Sequence, residues 1–463
     1  MTNNLPKYEN YKASGVEWLG EIPEHWEVKK LKHIFFEKKK KTNPALDSGS
    51  ISFGKVVTKN DEKIPISTKA SYQEVLKGDF LVNPLNLNYD LISLRIALSY
   101  INVVVSSGYI VLNSTKVIDK EYFKYLLHRY DVAYMKLLGS GVRQTINFND
   151  IADSLLSFPP LQEQTAIASF IDQKTAKIDQ AIAQKVKLIS LLKERRQILI
   201  HHAVTKGLDS LNFEENSLNF DLNEDRNTMI LNQSPSKNSL NFDENDDLNT
   251  MISKPSQTNQ SPSKNHQKSK FRHSGVDWIG EIPEHWEVKS LKYIAYLKSG
   301  EMISAEQFTE EGYPVFGGNG FRGFTNSFTN DGEFALIGRQ GALCGNVNYA
   351  QGKFFASEHA IVVYPLQNQN ILWLGEAIKR ADFNRLSQSA AQPGIAVNVI
   401  KNIQFPYPSI DEQKHISDYI KSILEKTSTA ISLKEKEIEK LKEYKATLIN
   451  SAVTGKINVS DYA

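Results

Sequence analysis

The chain contains parts of itself twice. Residues 14–34 read SGVEWLGEIPEHWEVKKLKHI and residues 274–294 read SGVDWIGEIPEHWEVKSLKYI, with only four of the 21 positions differing (17, 19, 30 and 33). A second anchor recurs 249 positions on: Pro159, Glu163, Gln164 and Ile167 return as Pro408, Glu412, Gln413 and Ile416. The same offset relates Ala203-Val204-Thr205 to Ala452-Val453-Thr454. Chance does not produce such a match, so the chain must build two related halves. The constant second offset leaves no room for an insertion in either copy. Two helices of equal, fixed length would show that.

The helical reading is supported by composition. From Leu161 to Ala203 there is no Gly or Pro in 43 residues; Pro159-Pro160 precede the run and Gly207 follows it. Apolar side chains keep a heptad spacing. One seam holds Ile171, Ile178, Lys185, Leu192 and Leu199; the other holds Ala168, Thr175, Ile182, Ile189, Arg196 and Ala203. In the second copy the seams are Ile420, Thr427, Lys434, Leu441 and Leu448, and Leu424, Ile431, Ile438 and Ala452. So long and narrow a stripe favours two helices packed on each other over a helix docked on its own domain. Between the anchors the order of elements is shared while side chains differ. Gly78-Asp79-Phe80 matches Gly332-Glu333-Phe334, Val105–Gly108 matches Phe355–Glu358, and the amphipathic stretch Tyr122–Arg129 matches Trp373–Arg380. Short apolar runs such as Ile101–Val105, Tyr109–Leu112, Phe334–Ile337 and Ala360–Tyr364 predict strands. The fold class expected is mixed α+β, with a pseudo-two-fold internal repeat.

Residues 208–270 stand apart, with twelve Asn and ten Ser among 63 positions and only three aromatics. That composition predicts a disordered linker, itself repetitive: SLNFD at 217–221 recurs at 239–243.

Several chemistries lack a signature. The formal net charge is only +2, so a nucleic-acid site must be a local patch. One cysteine, Cys344, makes neither an internal disulfide nor a cysteine zinc site, which points to a reducing, cytoplasmic setting. No signal peptide or membrane-length apolar run is visible. The GxGxxG string at Gly318, Gly320 and Gly323 is followed by Phe324–Asn330, which is β- and turn-like, so it reads as a glycine-rich hairpin, not a dinucleotide site. There is no Walker A, HExxH, metal-spaced histidine set or arguable catalytic triad. Glu24-His25 and Glu284-His285 sit beside Trp26 and Trp286 and read as packing anchors at the junction of domain and helix.

Taken together, GEIPEHWEVKKL and GEIPEHWEVKSL opening each half, PPLQEQ and PSIDEQ opening the long runs, and HHAVTKG and NSAVTGK closing them resemble the specificity subunits of type I restriction–modification enzymes. The likeness covers nearly all of the chain outside 208–270. It implies a first target-recognition domain (1–157), a central long helix (158–206), the linker (207–272), a second target-recognition domain (273–408) and a distal long helix (409–457). It further implies that the two helices pack as an antiparallel coiled coil and that each domain reads half of a bipartite, asymmetric site in double-stranded DNA. The resemblance implies no catalysis and no cofactor of the subunit's own, with two methyltransferase and two restriction subunits as partners and no membrane. Other classes are a coiled-coil adaptor without a DNA role, and a fused restriction or methylation enzyme.

Arg contacts guanine and Asn or Gln contacts adenine most readily. Candidates in the second domain are Arg339 and Gln340 on a glycine-framed turn, Asn319 and Arg322 on the hairpin, and Gln392 before the distal helix. The first domain offers Lys55, Arg95, Arg143 and Gln144 as DNA contacts; the run Glu37–Lys41 could touch phosphate, though such charge runs are usually solvated faces.

Overall fold

Pro159-Pro160 end a strand (Leu155–Phe158), and the chain then runs as one unbroken helix from Leu161 to Lys206, 46 residues. Its counterpart, Ile410–Val453, has 44 residues and follows the strand Gln404–Tyr407. At ~1.5 Å per residue each is roughly 65–70 Å long. This computed structural model describes residues 5–85, 94–135, 145–208, 270–341, 343–386 and 394–460. The linker expected at 207–272 lies outside the described residues except at its two ends.

The chain divides into two compact units, Met1–Leu188 with Ser432–Ala463, and Ile189–Ile431. Each unit is a globular domain together with a stretch of both long helices. In the first unit Ile167, Phe170 and Ile171 of the central helix and Leu448, Ala452 and Val453 of the distal helix share a core with Trp26, Leu31, Phe35 and Tyr122. In the second, Leu199, Ala203 and Val204 join Ile416 and Ile420 around Trp286, Leu291 and Trp373.

The first domain carries a four-stranded antiparallel sheet in the order Phe35–Glu37, Ile110–Ser114, Phe80–Val82, Ile96–Leu98. The second repeats that order with Ala295–Ser299, Ala360–Pro365, Asn330–Gly338 and Val347–Ala356, and extends it to seven strands. The extension begins with Tyr313–Gly317, paired parallel to Val347–Ala356 through Val315 and Phe355. Next come Gly320–Thr325 and then Phe308–Thr309. In the first domain the corresponding contact shrinks to one parallel bridge, Ser48 to Val104. The amphipathic helices Lys120–Ala133 and Ile371–Arg380 cover the cores, capped by Asp119 and Asn370.

The repeated Glu-Gln pair clamps each domain to the start of its helix. Glu163 accepts from Trp26 Nε1 at 2.9 Å and lies 2.6 Å from His25 Nε2; Glu412 does the same with Trp286 at 3.0 Å and His285 at 2.7 Å. Gln164, buried, accepts from the backbone N–H of Asp119 (2.9 Å) and donates to the carbonyl of Pro159 (2.8 Å). Gln413 accepts from Asn370 N–H (3.1 Å) and donates to Pro408 (3.1 Å) and to Gln369 Oε1 (2.8 Å). Each amide thus ties the cap of the amphipathic helix to the long one. A glycine closes the opposite end of each helix, one position out of register between the copies. Gly207 has φ 76°, and a Cβ there would stand 3.2 Å from Trp286; Gly455 has φ 70°, and a Cβ would stand 2.3 Å from Pro23. Each tryptophan is therefore gripped by the start of one long helix and the end of the other.

Gln413→Ala strands the Asn370 N–H, the Pro408 carbonyl and Gln369 Oε1. It should cost about 2 kcal/mol of stability in urea unfolding. A loss below ~0.5 kcal/mol would mean that water takes over these bonds.

Within the first unit the helices run antiparallel. Asp179 pairs with Lys445 (2.6 Å) and Lys185 with Glu437 (2.6 Å), so residue numbers rise on one helix as they fall on the other. The lysine of each seam, Lys185 and Lys434, reaches the same carboxylate, Glu437. Burial works against its charge, but hydrogen bonds from the two ammonium groups hold Glu437 below the usual glutamate range. A polar group placed so in an apolar seam can fix register. Among the described residues no helix is long and apolar enough to cross a membrane.

Candidate functional site

In the second domain three separate segments meet because two glycines let backbone touch backbone. The hairpin Tyr313–Gly317/Gly320–Thr325 turns at Gly318-Asn319. A Cβ on Gly318 would stand 3.0 Å from the carbonyl of His359, and one on Gly338 would stand 2.4 Å from the carbonyl of Gly318. Any larger residue would push the hairpin off the end of the strand Asn330–Gly338. The glycine string is thus a hairpin with no helix behind it, as its sequence context predicts.

Packed this way, Gly318, Asn319, Phe321, Arg322, Gln340, Gly341 and His359 line an open cleft of about 450 Å³. Asn319, Phe321, Arg322 and Gln340 are exposed. The Arg322 guanidinium lies over the ring of Phe308, 5.7 Å from its centroid. Gln340 Oε1 is 3.0 Å from His359 Nδ1, and His359 Nε2 is 3.0 Å from Glu358. The histidine therefore holds the glutamine amide in place. Arg339 is half-buried beside the cleft; its N–H donates to His359 and its carbonyl accepts from Ile395. The set is rich in hydrogen-bonding groups and has no nucleophile–base pair. It can read a patterned polar edge. Among the described residues no group of His, Cys, Asp and Glu could hold a metal ion.

So the structure brings Asn319, Arg322 and Gln340 together, with Arg339 alongside. Arg143, Gln144 and Gln392 lie outside the described residues. Lys55 is exposed just past the tip of the hairpin Gly49–Ser52/Lys55–Thr58.

Arg95 is a correction. Its side chain is 6 % exposed, and one carboxylate, Asp131, takes both its backbone N–H (2.6 Å) and its Nε (2.9 Å). Buried and paired through Nε in this way, Arg95 serves the packing of its own domain.

Part of the lysine run is tied to the domain, while Lys39, Lys40 and Lys41 stay exposed. Lys38 pairs with buried Asp79 at 2.6 Å, Lys40 donates to the carbonyl of Ser107, and Lys41 lies 3.4 Å from Glu74. His359 and Phe321 escaped the sequence reading. The only signal for His359 was its place just after Ser357-Glu358, the segment matched with Ser107-Gly108.

A family model described as type I restriction modification DNA specificity domain matches residues 23–188 and again 283–443. The Escherichia coli type I restriction enzyme EcoprrI specificity subunit is 41% identical over 146 residues, 30% of this chain and 35% of that protein. A Methanocaldococcus jannaschii protein, provisionally named as the type I restriction enzyme MjaX specificity subunit, is 24% identical across 98% of each chain. Among solved structures, one described as the basis of complex assembly and conformational transition of the type I R-M system gives a TM-score of 0.61 at 14% identity, covering 93% of this chain and 98% of that one. The HsdS subunit from Thermoanaerobacter tengcongensis gives 0.50 at 14% identity, covering 94% and 98%. At such identities the likeness to the two structures is one of fold.

Proposed function

Because the chain belongs to the family of type I restriction modification DNA specificity domains, we propose that it is the DNA-reading, non-catalytic subunit of a type I restriction–modification complex. The observation that carries this reading is the double family match, 23–188 and 283–443, with an open cleft of hydrogen-bonding side chains in the second copy. Each domain reads one half of a bipartite, asymmetric site in double-stranded DNA. The two long helices form an antiparallel coiled coil that relates the halves by a pseudo-two-fold. Repeated helix-end environments, Glu163 and Gly455 at Trp26, and Glu412 and Gly207 at Trp286, are the equivalent surroundings that two methyltransferase subunits would require. Two restriction subunits join for cleavage, and cofactors reside in these partners. The working compartment is the cytoplasm, where buried Cys344 stays reduced.

The test is DNA binding by the chain together with its methyltransferase across a salt series. Phosphate contacts impose a steep linear fall of log K with log salt, at about −0.9 per phosphate neutralised. Specific binding with such a slope is the expected result. A flat response, or equal affinity for any sequence, would favour an adaptor with no reading role.

A further inference from the structure

The first domain carries a hairpin at the same place in chain order as the one that builds the cleft of the second. Gly49–Ser52/Lys55–Thr58 lies between the strands Phe35–Glu37 and Phe80–Val82, as Tyr313–Gly317/Gly320–Thr325 lies between Ala295–Ser299 and Asn330–Gly338. Each abuts the matching neighbour in parallel, Ser48 on Val104 and Val315 on Phe355. Each turns in a two-residue loop, Phe53-Gly54 and Gly318-Asn319. The tip Phe53-Gly54 is therefore the first domain's counterpart of the cleft wall.

What stands at that tip is unfavourable for the protein alone. Phe53 is 96 % exposed and adopts φ 46°; Gly54 follows at φ 72°. A two-residue hairpin loop with both φ values positive calls for Asn-Gly, Asp-Gly or Gly-Gly. A bulky side chain there is a backbone outlier that costs stability. A lone exposed apolar residue needs no explanation; one held in left-handed backbone at a hairpin tip does, and such strain gathers at ligand clamps. The tip is braced as well. A Cβ on Gly54 would stand 2.7 Å from Leu94 and 3.4 Å from His128, so the loop is seated on the domain behind it. Beside the ring, Lys55 is exposed and able to meet a phosphate.

We propose that Phe53 is an apolar wedge by which the first domain presses against a base-pair step of its DNA half-site. This rests on the DNA-reading role given above. Phe inserted at a step partly unstacks it and bends the duplex, and the deformation is read as sequence preference. A hairpin tip whose backbone is already seated on the domain presents the ring with little backbone ordering cost. The two domains then read by different means, a ring at the tip of one hairpin and a polar cleft beside the other.

The experiment uses the full chain with its methyltransferase and duplexes bearing the recognised site, with 2-aminopurine placed at each adenine of the first domain's half-site in turn. Wild type should give a several-fold rise in fluorescence at one step. Phe53→Ala should lose that rise and bind about ten-fold more weakly; Phe53→Trp should keep both. Phe53→Asn should bind as weakly as Phe53→Ala yet melt at a higher temperature than wild type, because it relieves the backbone. A merely structural Phe53 would give a lower melting temperature instead. Specific binding by wild type with no fluorescence change, or with Phe53→Ala equally tight, overturns the wedge alone. A wild-type complex that cannot tell the site from a scrambled duplex overturns the DNA-reading role as well.

Discussion

Arg322→Ala or Gln340→Ala should blur the half-site read by the second domain and leave the other half-site untouched. Both side chains are exposed and line one cleft. A good bidentate contact to a base edge discriminates by ~1–3 kcal/mol, or roughly 5- to 150-fold, so each loss should let wrong bases in at one position. His359→Ala should act in the same direction and more weakly, since it frees the Gln340 amide to rotate. Lys55→Ala should do something different. A phosphate contact carries no sequence information, so binding should weaken alike on every sequence and the salt slope should fall by about 1. Binding of single-base variants of the site at two salt concentrations separates these outcomes.

A larger effect is expected from shortening the long helices. Leu161–Lys206 and Ile410–Val453 each pass without a break from one compact unit into the other. Continuous helix is stiff, whereas the composition of 208–270 predicts a tether. Removing one heptad from each helix keeps the apolar seams in phase and shortens each by about 10 Å. That length corresponds to roughly three base pairs, so the preferred spacer should shorten or methylation should cease. Removing 217–238, one repeat of the linker, should leave the spacer unchanged. Methylome mapping of both deletions decides between them: a changed spacer in the linker deletion would show that the repeats set the distance.

What could be read without the structure was whatever depends on local order. The long helices announce themselves by spacing, by missing Gly and Pro, and by a constant offset between copies. The Trp–helix junctions could be located from the repeats. How Glu163 takes two ring N–H groups, and how Gln164 serves a helix cap 45 residues away, could not.

Arg95 failed as a candidate because its partner, Asp131, is 36 residues distant and only the packed domain reveals the pair. Within the lysine run Asp79 claims Lys38 from 41 residues away, while Lys39, Lys40 and Lys41 stay exposed. The cleft was half legible. Asn319 and Arg322 are neighbours on one hairpin, but Gln340 and His359 reach them through long-range strand pairing and the glycine-to-carbonyl contacts of Gly318 and Gly338. Phe53 gave no sign at all, since its oddity is a backbone angle.

If two independent readers share one chain, one half-site can be exchanged without the other. Replacing residues 280–408 with the corresponding domain of another family member, and mapping adenine methylation across the host genome, tests it most directly. The exchange should give a new sequence in one half-site, with the other half-site and the spacer retained; a change in both half-sites would mean that the domains do not read independently.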